Sequence, residues 1–221
     1  GERVPPAEVM AQYRACLEAA PDDHRLRRDF ADYLLDHAQP AEAAAVLSCA
    51  LDTAAGHNLM GMAQAGLGNV QAAISQFESV ILSEPGLSTG WTNLGMMLKI
   101  DGRYDAAVHA YNQALRLAPD DPRVQVNRAV ALLHAGEWTQ AWPQYEARLK
   151  LGQQNWPPAD RMLPALDTIP SLQGQTVLAL HEDGFGDTIQ FMRYLPLLAS
   201  RGARVVAAVP PPLTRLVEPV S

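Results

Sequence analysis

Cysteine is scarce in this chain, and the scarcity excludes two things at once. Cys16 and Cys49 are the only two in 221 residues, at a spacing that fits neither a zinc knuckle nor a disulfide framework, so no metal site is read and a reducing, cytoplasmic setting is expected. Long apolar runs are missing as well. Runs such as Val177 to Leu180 and Val205 to Val209 fall far short of the roughly 18 residues a bilayer span requires. Basic charge is in deficit: 17 Lys and Arg stand against 24 Asp and Glu, a net charge of −7. With no basic stripe interleaved with aromatics, a nucleic-acid backbone is excluded as partner. Gly1-Glu2-Arg3-Val4-Pro5-Pro6 lacks a charged head followed by an apolar run, so no secretory leader is read, although a leader cut away before Gly1 stays open. Apolar surface is plentiful. A hydrophobic fraction of 48 % supplies a real core and rules out disorder of the whole chain.

Self-similarity is the strongest signal. Gly61, Gly95 and Ala129 recur at steps of 34, as do Ala73, Ala107 and Ala141, and the aromatics Phe77, Tyr111 and Tyr145. Gly68, Gly102 and Gly136 mark a turn inside each unit, and Pro85 and Pro119 a turn between units. The segment STGWTNLGMMLKIDGRYDAAVHAYNQALRLAPDD, Ser88 to Asp121, carries Trp91, Leu94, Gly95, Ala107, Tyr111, Ala114 and Pro119. In those places it resembles the tetratricopeptide repeat family. The resemblance implies a mainly α fold, a right-handed solenoid of antiparallel helix pairs, in which small residues sit where paired helices cross and an apolar stripe is buried only by the next repeat. Full repeats are read at Ala54 to Leu87, Ser88 to Asp121 and Pro122 to Asn155, with a shorter one from His24 to Thr53 and a half repeat over 1–23. Arg128 and Arg148 stand where Leu94 and Ala114 stood, which marks the final repeat. Cys16 and Cys49 are expected on buried helix faces, and Trp91 between helices.

In this family the first helix of each pair lines the concave groove, so its outward positions are the candidates for contact with a protein or peptide. Asn93 and Asn127 share one column 34 residues apart; Leu59 holds the matching place before them, with Asn58 beside it. An asparagine offers donor and acceptor on a short stem and can grip a peptide backbone without reading its sequence. The column resembles the asparagine ladder of the O-linked N-acetylglucosamine transferases, shortened. Solvated asparagines bonded locally are the alternative. Arg25, Arg27 and Arg28 form a basic cluster expected to pair with Asp29 and Asp32.

After Asn155 the composition changes. Trp156-Pro157-Pro158, Pro164 and Pro170 make residues 156–174 a linker, expected to pack through Trp156 and Leu163. From Gln175 an apolar run, a glycine turn, an amphipathic helix and a β-branched run predict one small, incomplete α/β unit, a Rossmann-like βαβ over 175–221, with Ile189, Tyr194, Leu197 and Leu198 as the helix's inner face. The turn His181-Glu182-Asp183-Gly184-Phe185-Gly186-Asp187 falls at the carboxyl end of the first strand, where open α/β sheets bind ligands. Gly184 and Gly186 would let a bound group approach, and the helix start near Thr188 would offer free amides. A tight strand-to-helix turn is the plain alternative.

HEDGFGDTIQFMRYLPLLASRG together with VPPPLTRLV is similar to the N-terminal half of B-type glycosyltransferases attached to such repeats, and more distantly to heptosyltransferases. The resemblance implies that Asp187 would act as general base on an acceptor hydroxyl, against the reading in which it caps its helix; His181 is a second candidate for acceptor contact. A nucleotide-sugar would need a second Rossmann domain, so a fragment of a longer enzyme is expected, with a homodimer through the open strands as a by-product. Two readings follow: a protein-binding module, or a glycosyltransferase whose repeats select acceptors. Neither calls for a cofactor in this chain.

Overall fold

The computed structural model describes residues 5–151, 161–163, 168–182 and 184–217. The chain divides into two compact units, Gly1–Asn155 and Trp156–Ser221. Among its described residues the first is helical: α1 (Pro6–Ala19), then the pairs α2/α3 (His24–Asp36, Pro40–Leu47), α4/α5 (Ala54–Gly66, Val70–Ser83), α6/α7 (Ser88–Ile100, Tyr104–Leu117) and α8/α9 (Pro122–His134, Trp138–Tyr145), followed by a 3-10 turn at Glu146–Lys150. Proline opens α1, α3 and α8, where its missing N–H is not needed. Side-chain oxygens do the same work elsewhere: Asp23 accepts from the Leu26 amide at 2.9 Å and Thr53 from the Gly56 amide at 3.2 Å.

Each pair turns on a residue in the left-handed region. Gly68, Gly102 and Gly136 have φ of +77°, +79° and +83°, while the first pair turns on Ala38 at +55°. A Cβ in that conformation costs on the order of 1 kcal/mol. Ala38→Gly is therefore expected to stabilise the helical unit by about 0.5 kcal/mol in urea unfolding, glycine relieving more strain than it adds chain entropy.

The crossing of each pair explains the small-residue columns. A Cβ on Gly61 would lie 2.6 Å from Cε1 of Phe77, and one on Gly95 2.8 Å from Cε1 of Tyr111. Phe77, Tyr111, Ala73, Ala107 and Ala114 are all fully buried. They form one core with Leu94, Met97 and Leu98 of α6 and Val124 of α8, so that a single cluster runs through consecutive pairs. A second cluster joins Met10, Phe30, Leu34, Leu47 and Met60. There α1 packs on α2, its Tyr13 ring lying flat on Phe30 at 4.9 Å between centroids.

Three expectations need correction in this unit. Both cysteines are exposed: α1 turns Met10, Tyr13 and Leu17 toward the second cluster, which leaves Cys16 on the outer side, and Cys49 lies beyond Leu47, the last residue of α3. Trp91 is half-buried rather than enclosed; its ring packs on the main core while its indole N–H donates to the Pro85 carbonyl at 3.0 Å. Trp91→Ala is accordingly expected to cost about 2 kcal/mol in chemical denaturation, below the range of a fully buried aromatic. The basic cluster does not pair with Asp29 and Asp32. Arg28 binds Asp52 at 3.0 Å, and Arg27 donates to the carbonyls of Pro21 and Val46.

The second unit has two parallel strands among its described residues, β1 (Thr176–Leu180) and β2 (Arg204–Ala208), with Val177 opposite Val205 and Ala179 opposite Ala207. Leu172, Val177 and Ala203 are its core, with Ile169, Leu198 and Val205 packed on them. The connection between the strands is not one helix. It is α10 (Phe185–Phe191), a 3-10 turn at Met192–Tyr194, and α11 (Leu195–Ser200), because Pro196 cannot donate to a continuous ladder. The side turned inward is Thr188, Met192, Leu195 and Leu198. Of the four inner-face residues expected, only Leu198 packs; Ile189, Tyr194 and Leu197 are about half exposed. Gly202, at φ +92°, ends the segment before β2. Leu163 is exposed too, and Trp156 lies outside the described residues.

Candidate functional site

The first helices of successive pairs lie beside one another. Asn93 of α6 donates its side-chain N–H to the Asn58 side-chain oxygen of α4 at 2.9 Å, and the Asn58 amide in turn reaches the Met62 sulfur at 3.6 Å. Asn58, Asn93 and Asn127 are all half-buried. The first two are spent partly on each other, while Asn127 of α8 has no hydrogen-bond partner among the described residues. The amide row therefore keeps one free amide group and two partly committed ones.

Beside that row stand Met62 and Met96, 41 % and 37 % exposed, with half-buried Val130 completing the line at the same 34-residue step. Their recurrence was in the sequence, but methionine and valine read as core residues until burial shows them turned outward. Lys99 lies one turn beyond Met96 on α6, and burial holds its ammonium below the usual lysine pKa. Among the described residues no ion pair engages it. Arg128 of α8 bonds the Gln144 side chain, and burial lowers its pKa as well. At the other end of the unit the His24 hydrogen bond, more than the nearby Arg28 charge, holds the Asp52 carboxyl below its ordinary value.

In the second unit, a cleft of about 240 Å³ opens at the carboxyl ends of β1 and β2, lined among others by His181, Asp187, Thr188, Phe191 and Leu195. Its polar groups are engaged locally. Asp187 is the third residue of α10, and its carboxylate accepts the Gly184 N–H at 3.3 Å. Thr188 is inside the helix, not at its free start: its amide donates to the Gly184 carbonyl at 3.2 Å, and its hydroxyl meets Nδ1 of His181. The expectation of free amides at Thr188 is corrected accordingly. Gly184 has an ordinary extended backbone, φ −87°, and a Cβ on Gly186 would meet nothing within 4 Å. Neither glycine is demanded by the local geometry. Among the described residues no cluster of three His, Cys, Asp or Glu side chains is placed to hold a metal, and no helix is long and apolar enough to cross a membrane.

Helix pairs with small crossing residues, left-handed turns and one core shared between neighbours make a solenoid of the tetratricopeptide-repeat type. Known proteins agree with that class. Residues 101–160 match the tetratricopeptide repeat family model. Protein FlbA of Caulobacter vibrioides is 27 % identical over 210 residues, covering 86 % of this chain; the chain spans about a third, 32 %, of FlbA. A crystal structure of MamA superimposes with a TM-score of 0.59 at 20 % identity, over 64 % of this chain and 85 % of that one. MamA residues 41 to the end from Desulfovibrio magneticus RS-1 give 0.54 at 21 % identity, over 59 % and 76 %. At such identities the structural likeness establishes the fold.

Proposed function

We propose that the helical unit is a docking module that holds an extended segment of a partner protein along the face of α4, α6 and α8. The observation that carries this is the half-buried amide row of Asn58, Asn93 and Asn127 running beside outward-turned Met62 and Met96. Amides supply sequence-tolerant hydrogen bonds, and methionine adapts to varied apolar side chains. A photo-crosslinking amino acid at position 96, compared with one at position 82, where Leu82 is 85 % exposed on α5, tests the face. Adducts to a partner are expected from position 96 and not from 82; equal labelling from both would refute the assignment.

A second reading concerns the Trp156–Ser221 unit: in a longer chain it would be the acceptor-side start of a glycosyltransferase, with Asp187 as general base and His181 as acceptor contact. What supports it is the cleft at the carboxyl ends of parallel strands, with Asp187 and His181 in its wall. Asp187→Asn keeps an acceptor for the Gly184 amide and removes the base. Transfer from a nucleotide-sugar by the full-length gene product should fall at least 100-fold in this variant while its melting temperature holds; undiminished transfer would end that role for Asp187.

A further inference from the structure

The docking face is free of acids along three successive first helices, in a chain that is acidic as a whole. Helices α4, α6 and α8, thirteen residues each, contain no Asp or Glu, in a chain with 24 acids and a net charge of −7. Two of the helices paired with them carry one acid each, Glu78 on α5 and Asp105 on α7, and the third, α9, has none. The cations of the inner helices are Lys99, Arg123 and Arg128. Arg123 has an acid at 3.7 Å, Asp121, and Arg128 a side-chain carbonyl. Lys99, one of only two lysines in the chain, is left without a counter-ion among the described residues. The acid nearest to it in sequence, Asp101, accepts instead from Gln71 of α5 at 2.8 Å. A half-buried ammonium next to Met96 has lost part of its water and gained no carboxylate in exchange. It therefore gains more from an incoming carboxylate than a fully solvated lysine would.

We propose that the segment bound here is an acidic, apolar peptide: an Asp or Glu carboxylate placed on Lys99, with a neighbouring Leu, Ile or Met side chain against Met62 and Met96. The proposal rests on the docking reading and adds the chemistry of the partner. The absence of acids along the three inner helices removes repulsion from the whole length of the peptide, while the surplus of acids elsewhere disfavours acidic segments on other surfaces. Basic segments are steered the opposite way, toward the rest of the molecule.

Selection of peptides from a random 12-residue phage library on the immobilised full chain tests this. Four proteins are compared: the parent, Lys99→Met, Lys99→Glu, and Asn93→Ala/Met96→Ala, each checked by circular dichroism. The expected result is enrichment of peptides with Asp or Glu within two residues of Leu, Ile or Met. By fluorescence anisotropy, a synthetic version should bind Lys99→Met about tenfold more weakly than the parent, lose affinity as salt rises, and lose a similar factor when its acid is changed to the amide. Lys99→Glu should reject it. Peptides that fail on Asn93→Ala/Met96→Ala but are neutral or basic and indifferent to Lys99 would overturn the charge assignment and leave the docking face standing. Peptides indifferent to all four substitutions, or no enrichment at all, would overturn both.

Discussion

Phe77→Ala is expected to destabilise the helical unit by about 4 kcal/mol, the cost of emptying a fully enclosed aromatic site. Phe77 is wholly buried and its ring edge fills the hollow that Gly61 leaves on α4. The reverse substitution, Gly61→Ala, introduces a methyl 2.6 Å from that ring and is expected to cost about 2 kcal/mol through displacement of the ring and spreading of the pair. The two changes are not independent. With the ring gone, the added methyl has room and fills part of the cavity, so the double variant should be destabilised by about 1–2 kcal/mol less than the sum of the two separate losses. Urea unfolding of the four proteins measures this directly; simple additivity would mean that Gly61 is small for a reason other than Phe77. Because the core of α4–α7 continues into Val124 of α8, amide exchange in α8 should also quicken in Phe77→Ala, as expected when neighbouring repeats share their stability.

The helical unit was legible because its physics repeats. A glycine under an aromatic ring, a left-handed glycine at the turn and an alanine at the crossing each impose one residue type, and each imposes it every 34 positions. Burial of individual residues was legible only where that repetition held. Cys16 and Cys49 belong to the half repeat and the shortened pair, where Tyr13 stacks on Phe30 and the 34-residue columns do not reach, and both turn outward. Ala38 shows the same limit: nothing in an alanine announces a positive φ, which the fold imposes because the turn between α2 and α3 is built like the glycine turns that follow it.

In the second unit a single pass of the chain carries the signal, so no column averages out an error. An apolar run and a β-branched run, with a glycine turn and a helical stretch between them, were enough to predict two parallel strands. The segment between them has apolar residues on every side, Phe185, Ile189, Phe191, Tyr194 and Leu197 among them, all about half exposed. Periodicity then cannot tell which face turns inward, and Pro196 breaks the helix on which such a count depends. The candidate site divides likewise. The asparagine column could be named from its 34-residue step, but the Asn58–Asn93 bond that commits half of it, and the outward turn of Met62 and Met96, follow from how α4 and α6 lie side by side, which no residue states alone.

Tyr111 offers a test in which pH, not truncation, is the variable. Its hydroxyl is buried and finds no hydrogen-bond partner among the described residues, and desolvation drives its pKa well above the ordinary tyrosine value. The sign of the consequence is fixed: the folded state holds the proton more tightly, so the neutral phenol contributes undiminished stability below about pH 10, where the unfolded chain's tyrosine ionises, and that stability is lost as pH rises beyond it. The loss approaches about 1.4 kcal/mol for each pH unit above the unfolded pKa, or roughly 2–3 kcal/mol by pH 12. Tyr111→Phe removes both the unpaired hydroxyl and the titration while keeping the ring that covers Gly95. At pH 7 the variant should equal or exceed the parent by up to about 1 kcal/mol, since a buried donor without a partner is replaced by hydrogen. Its advantage should then widen steadily above pH 10. Parallel unfolding curves for the two proteins from pH 7 to 12 would show instead that the hydroxyl has found a partner or reaches water.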